Sequence, residues 1–237
     1  MDTDHGHSKE EVAARLAAPF RQGNLRDMVY GGIDGAVTTF AIVAGVQGAG
    51  LPSSIIIALG IANVLADGFS MAAGNYSGTK ADLDDLDRLR SVEERHIREF
   101  PDGEREEIRQ ILALKGLRGD VLEQATEAIC SDRKTWIDMM LTEEYGMSLS
   151  DPRPMRSATA TFLAFLLAGI VPLMPFVLGL EHAFELAGIL TGCVFFAIGA
   201  LKSRWSLSKW WWSGGETLAI GSVAAAIAYF VGSLFHV

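Results

Sequence analysis

Charged residues are missing from four long stretches of this chain, and their absence limits the possible folds severely. No Asp, Glu, Lys or Arg occurs in 35–66, 157–180, 186–201 or 217–237, runs of 32, 24, 16 and 21 residues. A membrane span needs roughly 20 apolar residues, because the hydrocarbon core is about 30 Å thick and a helix rises about 1.5 Å per residue. The first run is too long for one helix. It breaks at Gly48-Ala-Gly-Leu-Pro52, which reads as a tight turn. Five spans are therefore expected, at 28–48, 53–76, 157–180, 184–202 and 214–235. A buried soluble core accommodates one or two such runs, not five in 237 residues. The expected fold is all-α: a multi-pass membrane protein with five transmembrane helices in a lipid bilayer.

The positive charges give an orientation. Of 20 Lys and Arg, four precede the first span, 13 lie in 77–156, and Lys202, Arg204 and Lys209 lie between spans four and five. The short loops at 49–52 and 181–183 and the C-terminus carry none. The positive-inside rule then predicts a cytosolic N-terminus, a cytosolic 77–156 segment and a C-terminus on the opposite side. Trp205, Trp210, Trp211 and Trp212 cluster between spans four and five, where interfacial anchors belong. A formal net charge of −9 argues against nucleic acid as a partner, and two cysteines cannot build a disulfide scaffold.

The expected organisation is a cytosolic N-terminal segment (1–27), transmembrane helices one and two (28–76), a cytosolic helical domain (77–156) and transmembrane helices three to five (157–237). The 77–156 segment carries 19 Asp and Glu. Its apolar residues recur at helical spacing, and its breakers are Pro101-Asp-Gly103, Gly116 to Gly119 and Asp151-Pro-Arg-Pro154. Three or four amphipathic helices are expected, the first continuing out of span two. So small a bundle is marginal alone and is expected to lean on a second copy.

Polar residues inside the spans are the first functional candidates, because burying them in lipid is expensive. Asp34 lies in span one. Span two carries Asn63, Asp67, Ser70, Met71 and Asn75, whose spacing puts all five on one helical face. Such a stripe is either a polar seam between helices or a cation path. Oxygen ligands suit hard or borderline divalent cations, and a thioether adds softness. Gly31-x-x-x-Gly35 permits close helix approach and dimerisation, or simply thins a tight bundle. Pro172 and Pro175 are expected to kink span three.

The second set lies in the soluble segment. Glu93 with His96, and Glu104 with Glu107, each have i, i+3 spacing and present two ligands from one helical face. Met139, Met140 and Glu143 offer a third group. Glu-x-x-His is a di-iron ligand pattern in ferritin-like bundles, although those use two copies of it. A solvated charged face is the alternative reading.

These residues resemble the vacuolar iron transporter family. Asp34-Gly-Ala-Val-Thr-Thr-Phe-Ala-Ile-Val-Ala-Gly45 is similar to the family's first helix, and Ala62-Asn-Val-Leu-Ala-Asp-Gly-Phe-Ser-Met-Ala-Ala-Gly74 to its second. Pro101-Asp-Gly-Glu104 with Glu107-Ile108, and Asp138-Met-Met-Leu-Thr-Glu143, resemble its cytosolic metal-binding domain. Val171-Pro-Leu-Met-Pro-Phe176 and Gly221 to Gly232 resemble its third and fifth helices. The resemblance implies a homodimeric, proton-coupled antiporter, not an enzyme, that exports Fe2+, and often Mn2+, from the cytosol. Fe2+, with Mn2+ and Zn2+ as further candidates, is then the substrate and bound ion, protons are the counter-ion, and no prosthetic group is needed. It implies Asp34 and Met71 in the transport path. Asn63 stands where plant members carry Glu, and Asp67 one turn on is expected to compensate. It implies Glu93, Glu104, Glu107, Met139, Met140 and Glu143 as cytosolic ligands, with His96 in place of an expected Glu. The membrane would be the inner membrane of a bacterium or a vacuolar membrane. The rival readings are a membrane-anchored di-iron oxidase and a metal sensor or storage protein.

Overall fold

The computed structural model describes residues 7–17, 23–150 and 152–235, so part of the N-terminal segment expected at 1–27 lies outside the described residues. Among the described residues there are helices and turns and no strand. The helices are α1 (Lys9–Ala17), α2 (Leu25–Gly48), α3 (Ser53–Glu99), α4 (Pro101–Leu114), α5 (Gly119–Ser131), α6 (Arg133–Glu143), α7 (Pro154–Ile170), α8 (Met174–Val177), α9 (Ala183–Lys202) and α10 (Trp210–Ser233). Five of the helical segments are long and apolar enough to cross a membrane: Leu25–Gly48, Ser53–Glu99, Pro154–Val177, Ala183–Trp205 and Trp210–Ser233. The described residues divide into two compact units, 23–78 with 153–235, and the described parts of 1–22 and 79–152. α3 contributes residues to both.

The first unit is built on glycine. α2 packs most extensively on α7 and α10, and α9 on α10. A Cβ at Gly31 would overlap the Thr161 carbonyl, and one at Gly35 the Phe165 carbonyl, so Gly31-x-x-x-Gly35 serves close approach to α7 within this chain. Gly232 likewise meets the Gly45 backbone, and Gly199 meets Ser213. Lipid chains are as apolar as leucine, so membrane helices gain by close packing of this kind. The turn after α2 has Gly50 at φ 73 and closes with Leu51 N–H donating to the Val46 carbonyl at 3.2 Å. Pro172 interrupts α7, and a 3-10 turn at Val171–Leu173 leads into α8. The outward faces are apolar, with Ile220, Val223, Ile227 and Phe230 of α10 exposed. Trp205, Trp210, Trp211 and Trp212 are also exposed, and the Lys209 ammonium lies 5.1 Å from the Trp211 ring centroid.

The second unit is a helical bundle whose core joins Leu86, Leu89 and Ile97 of α3 to Ile108, Leu112, Leu122, Trp136, Ile137, Met140 and Leu141. α4 starts at Pro101, whose missing N–H costs nothing at a first helical position. Gly116, at φ 99, ends it. Between α5 and α6 the break is at Asp132, whose side chain accepts from the Thr135 N–H at 3.0 Å as an N-cap. Arg109 pairs with Glu123 at 2.8 Å, and Arg105 with Glu127, across α4 and α5.

Candidate metal centre and polar membrane seam

In the membrane-type unit, the stripe on α3 meets a matching stripe on α2. Asn63 Nδ2 donates to Thr38 Oγ1 at 3.2 Å, and Thr38 in turn donates to the Asp34 carbonyl at 2.8 Å. Asp34 lies within electrostatic reach of Asp67. Asn75 Nδ2 donates to Asp27 Oδ1 at 3.0 Å. Met71 is half-buried on the same α3 face as Asn63, Asp67 and Asn75. Thus Asp34, Asn63, Asp67 and Met71 all lie on one seam. Among the described residues no Lys or Arg pairs with Asp34 or Asp67, and carboxylates close enough to interact inside a candidate membrane layer suit a cation.

In the second unit, three side chains converge. Glu93 and His96 sit one turn apart near the end of α3. The chain reverses at Phe100-Pro101, and this brings Glu104, in the first turn of α4, back opposite them. His96 Nδ1 lies 3.4 Å from Glu104 Oε1 and 3.9 Å from Glu93 Oε1. One ligand atom from each of the three can be chosen so that all lie within 4.8 Å of one another. Glu93 is 0% exposed and Glu104 5%. Their second oxygens, Glu93 Oε2 and Glu104 Oε2, are buried with no hydrogen-bond donor from the protein. Burial first, then repulsion from Glu93 and Glu107, pushes the Glu104 carboxyl up to about 7. Two buried carboxylates and an imidazole are a donor set for a borderline divalent cation.

The remaining expected ligands divide. Glu107 is exposed, one turn beyond Glu104, and its charge acts on Glu104 and Glu144. Met139 is half-buried, and Met140, at 0% exposure, is enclosed in the apolar core. Glu143 turns to Lys115, with Oε2 2.7 Å from Nζ. Its neighbour Glu144 instead feels Glu107, Glu93 and His96, and burial followed by these carboxylates raises its pKa. Tyr145 donates to Glu93 Oε1 at 2.9 Å. Burial and this bond push its phenol above the usual tyrosine range. Helical spacing missed both Glu144 and Tyr145 because they lie past the end of α6. Gly146, at φ 65, lets the chain turn there, with Met147 N–H donating to the Leu141 carbonyl at 2.9 Å. The sequence signal available was the glycine four residues after Thr142 together with the doubled Glu143-Glu144.

The profile of the VIT family matches residues 25–233. The chain belongs to the VIT family. It is 33% identical over 230 residues to Vacuolar iron transporter 1 of Arabidopsis thaliana, covering 95% of this chain and 88% of that protein. Vacuolar iron transporter 1 of Eucalyptus grandis is 33% identical over 235 residues, with 95% and 94% covered. The similarity reaches apicomplexans: Vacuolar iron transporter of Toxoplasma gondii is 30% identical over 224 residues, with 90% and 74% covered. The VIT match takes in the α2–α3 seam and the Glu93–His96–Glu104 cluster alike.

Proposed function

We propose that this VIT family chain is a proton-coupled transporter that moves Fe2+, and also Mn2+, out of the cytosol. The observation that carries this reading is the seam of Asp34, Thr38, Asn63 and Asp67 between two candidate membrane helices. An anchor has no use for carboxylates at that depth, whereas a cation path needs them. Asp34 and Asp67 supply hard oxygen ligands and exchange protons for the ion, Asn63 adds an amide oxygen, and Met71 adds a thioether that favours Fe2+ over Mg2+ or Ca2+. The names of the plant and apicomplexan relatives support iron as the substrate.

On this reading residues 77–156 form a cytosolic metal-binding domain. Glu93, His96 and Glu104 capture the ion, with Glu107 and Glu144 adding negative charge around them. Metal bound there would be drawn from a dilute cytosolic pool before translocation by the membrane helices. The N-terminus lies on the cytosolic side, the C-terminus on the other, and two copies assemble. Growth of iron-loaded cells tests the proposal. Expression of the chain should protect them from excess Fe2+ and lower cytosolic iron, and Asp34→Ala, at equal membrane abundance, should give no protection. Equal protection by Asp34→Ala would remove Asp34 from the path.

A further inference from the structure

The seam continues beyond the four residues assigned to the path. Asp27 lies in the first turn of α2, seven residues before Asp34, which is two helical turns or about 10 Å along the same face. Its Oδ1 accepts from Asn75 Nδ2 at 3.0 Å. The same nitrogen donates to Thr161 Oγ1 of α7 at 2.6 Å. Thr161 is completely buried, and its hydroxyl donates to the Ser157 carbonyl at 3.1 Å. One amide therefore ties three membrane helices together beside a carboxylate. The register is continuous. Moving seven residues along α2 from Asp27 to Asp34 moves eight back along α3, from Asn75 to Asp67. Four more to Thr38 moves four more back to Asn63. An antiparallel pair of helices with its polar contacts all in one register makes a single track, not isolated bonds.

We infer that Asp27 is a further binding station for the divalent cation, at the mouth of the path, and that Asn75 is the residue that positions it. The inference rests on the transport reading above. Asn75 is neutral, so its bond orients the Asp27 carboxylate without cancelling its charge. A Lys or Arg in that place would orient and neutralise together. An acid in a first helical turn also interacts favourably with the helix dipole. That role alone would affect stability and leave ion affinity untouched, and this difference can be measured.

The test is initial-rate Fe2+ flux in proteoliposomes over a range of metal concentrations, with melting temperature recorded for each variant. Asp27→Asn is expected to raise KM about tenfold with a maximal rate within about twofold of wild type, because a capture site sets affinity for the entering ion. Asp27→Glu, which keeps the charge, should restore most of the KM. Asn75→Ala frees the carboxylate without removing charge and should raise KM about threefold or more. It carries the same test if Asp27→Asn fails to assemble. KM within about twofold of wild type in both Asp27→Asn and Asn75→Ala would overturn the inference, whatever their melting temperatures, while leaving the transport reading intact provided that Asp34→Ala is inactive. A wild-type protein with no flux would overturn both.

Discussion

At the scale of single residues, the Glu93–His96–Glu104 cluster depends on two buried carboxylates kept close together. Glu93 is oriented by the Tyr145 hydroxyl at 2.9 Å, and removing that donor should loosen the site. Tyr145→Phe is expected to weaken Mn2+ binding, measured by calorimetric titration of the detergent-solubilised chain, by about tenfold, the usual effect of losing a group that orients a ligand. The doubled glutamates make a sharper comparison. Glu144→Gln should weaken binding by about tenfold and Glu143→Gln by less than about threefold, because Glu143 is held by Lys115 while Glu144 faces Glu93 and Glu107. Glu104 adds a pH dependence. Its carboxyl titrates near 7 in the folded chain and near 4.5 when unfolded. A raised carboxyl pKa means that the folded state holds its proton more tightly. The stabilisation is therefore complete below the unfolded value and is lost as pH rises through about 7. Metal-free protein should melt at a higher temperature at pH 5.5 than at pH 8, and Glu104→Gln should diminish that difference.

At the scale of helices, most of the boundaries were readable in the sequence, and for a physical reason. Spans appear where charge is absent, and turns appear where Gly or Pro interrupts the run, as at Gly48 to Pro52. The Asp132 break between α5 and α6 was not readable. It carries no Gly or Pro and depends on one side chain capping Thr135. The partner of Gly31-x-x-x-Gly35 was also hidden. A small-residue motif announces a close approach but does not name the helix that approaches, and here that helix is α7. The seam on α3 was picked out from its spacing, whereas on α2 only Asp34 was. Asp27 and Thr38 share the face of Asp34 by helical spacing, but nothing in the sequence says that this face meets Asn75 and Asn63 of α3. The α2–α7 contact yields its own prediction. Gly35→Ala drives a methyl into the Phe165 carbonyl, so it should destabilise the solubilised protein by about 1–3 kcal/mol, seen as a lower melting temperature. Gly215→Ala in α10, with nothing within 4 Å of the added Cβ, should not lower it.

At the scale of the whole molecule, two compact units carry two kinds of acid. One holds buried carboxylates with an imidazole at the junction of α3 and α4, and the other holds Asp34 and Asp67 on candidate membrane helices. The proposed division of labour is capture in the first and translocation in the second. Substitutions in the two units should then fail differently. Loss of Glu93 or Glu104 should lower transport at scarce metal and be overcome at high concentration, while loss of Asp34 should not be overcome. Flux of Fe2+ into proteoliposomes under an imposed pH gradient reaches the central claim most directly. A proton-coupled transporter gives uptake that rises with the gradient, collapses when an uncoupler removes it, and is absent in Asp34→Ala. Uptake no faster than in protein-free liposomes, or uptake indifferent to both the gradient and Asp34, would contradict it.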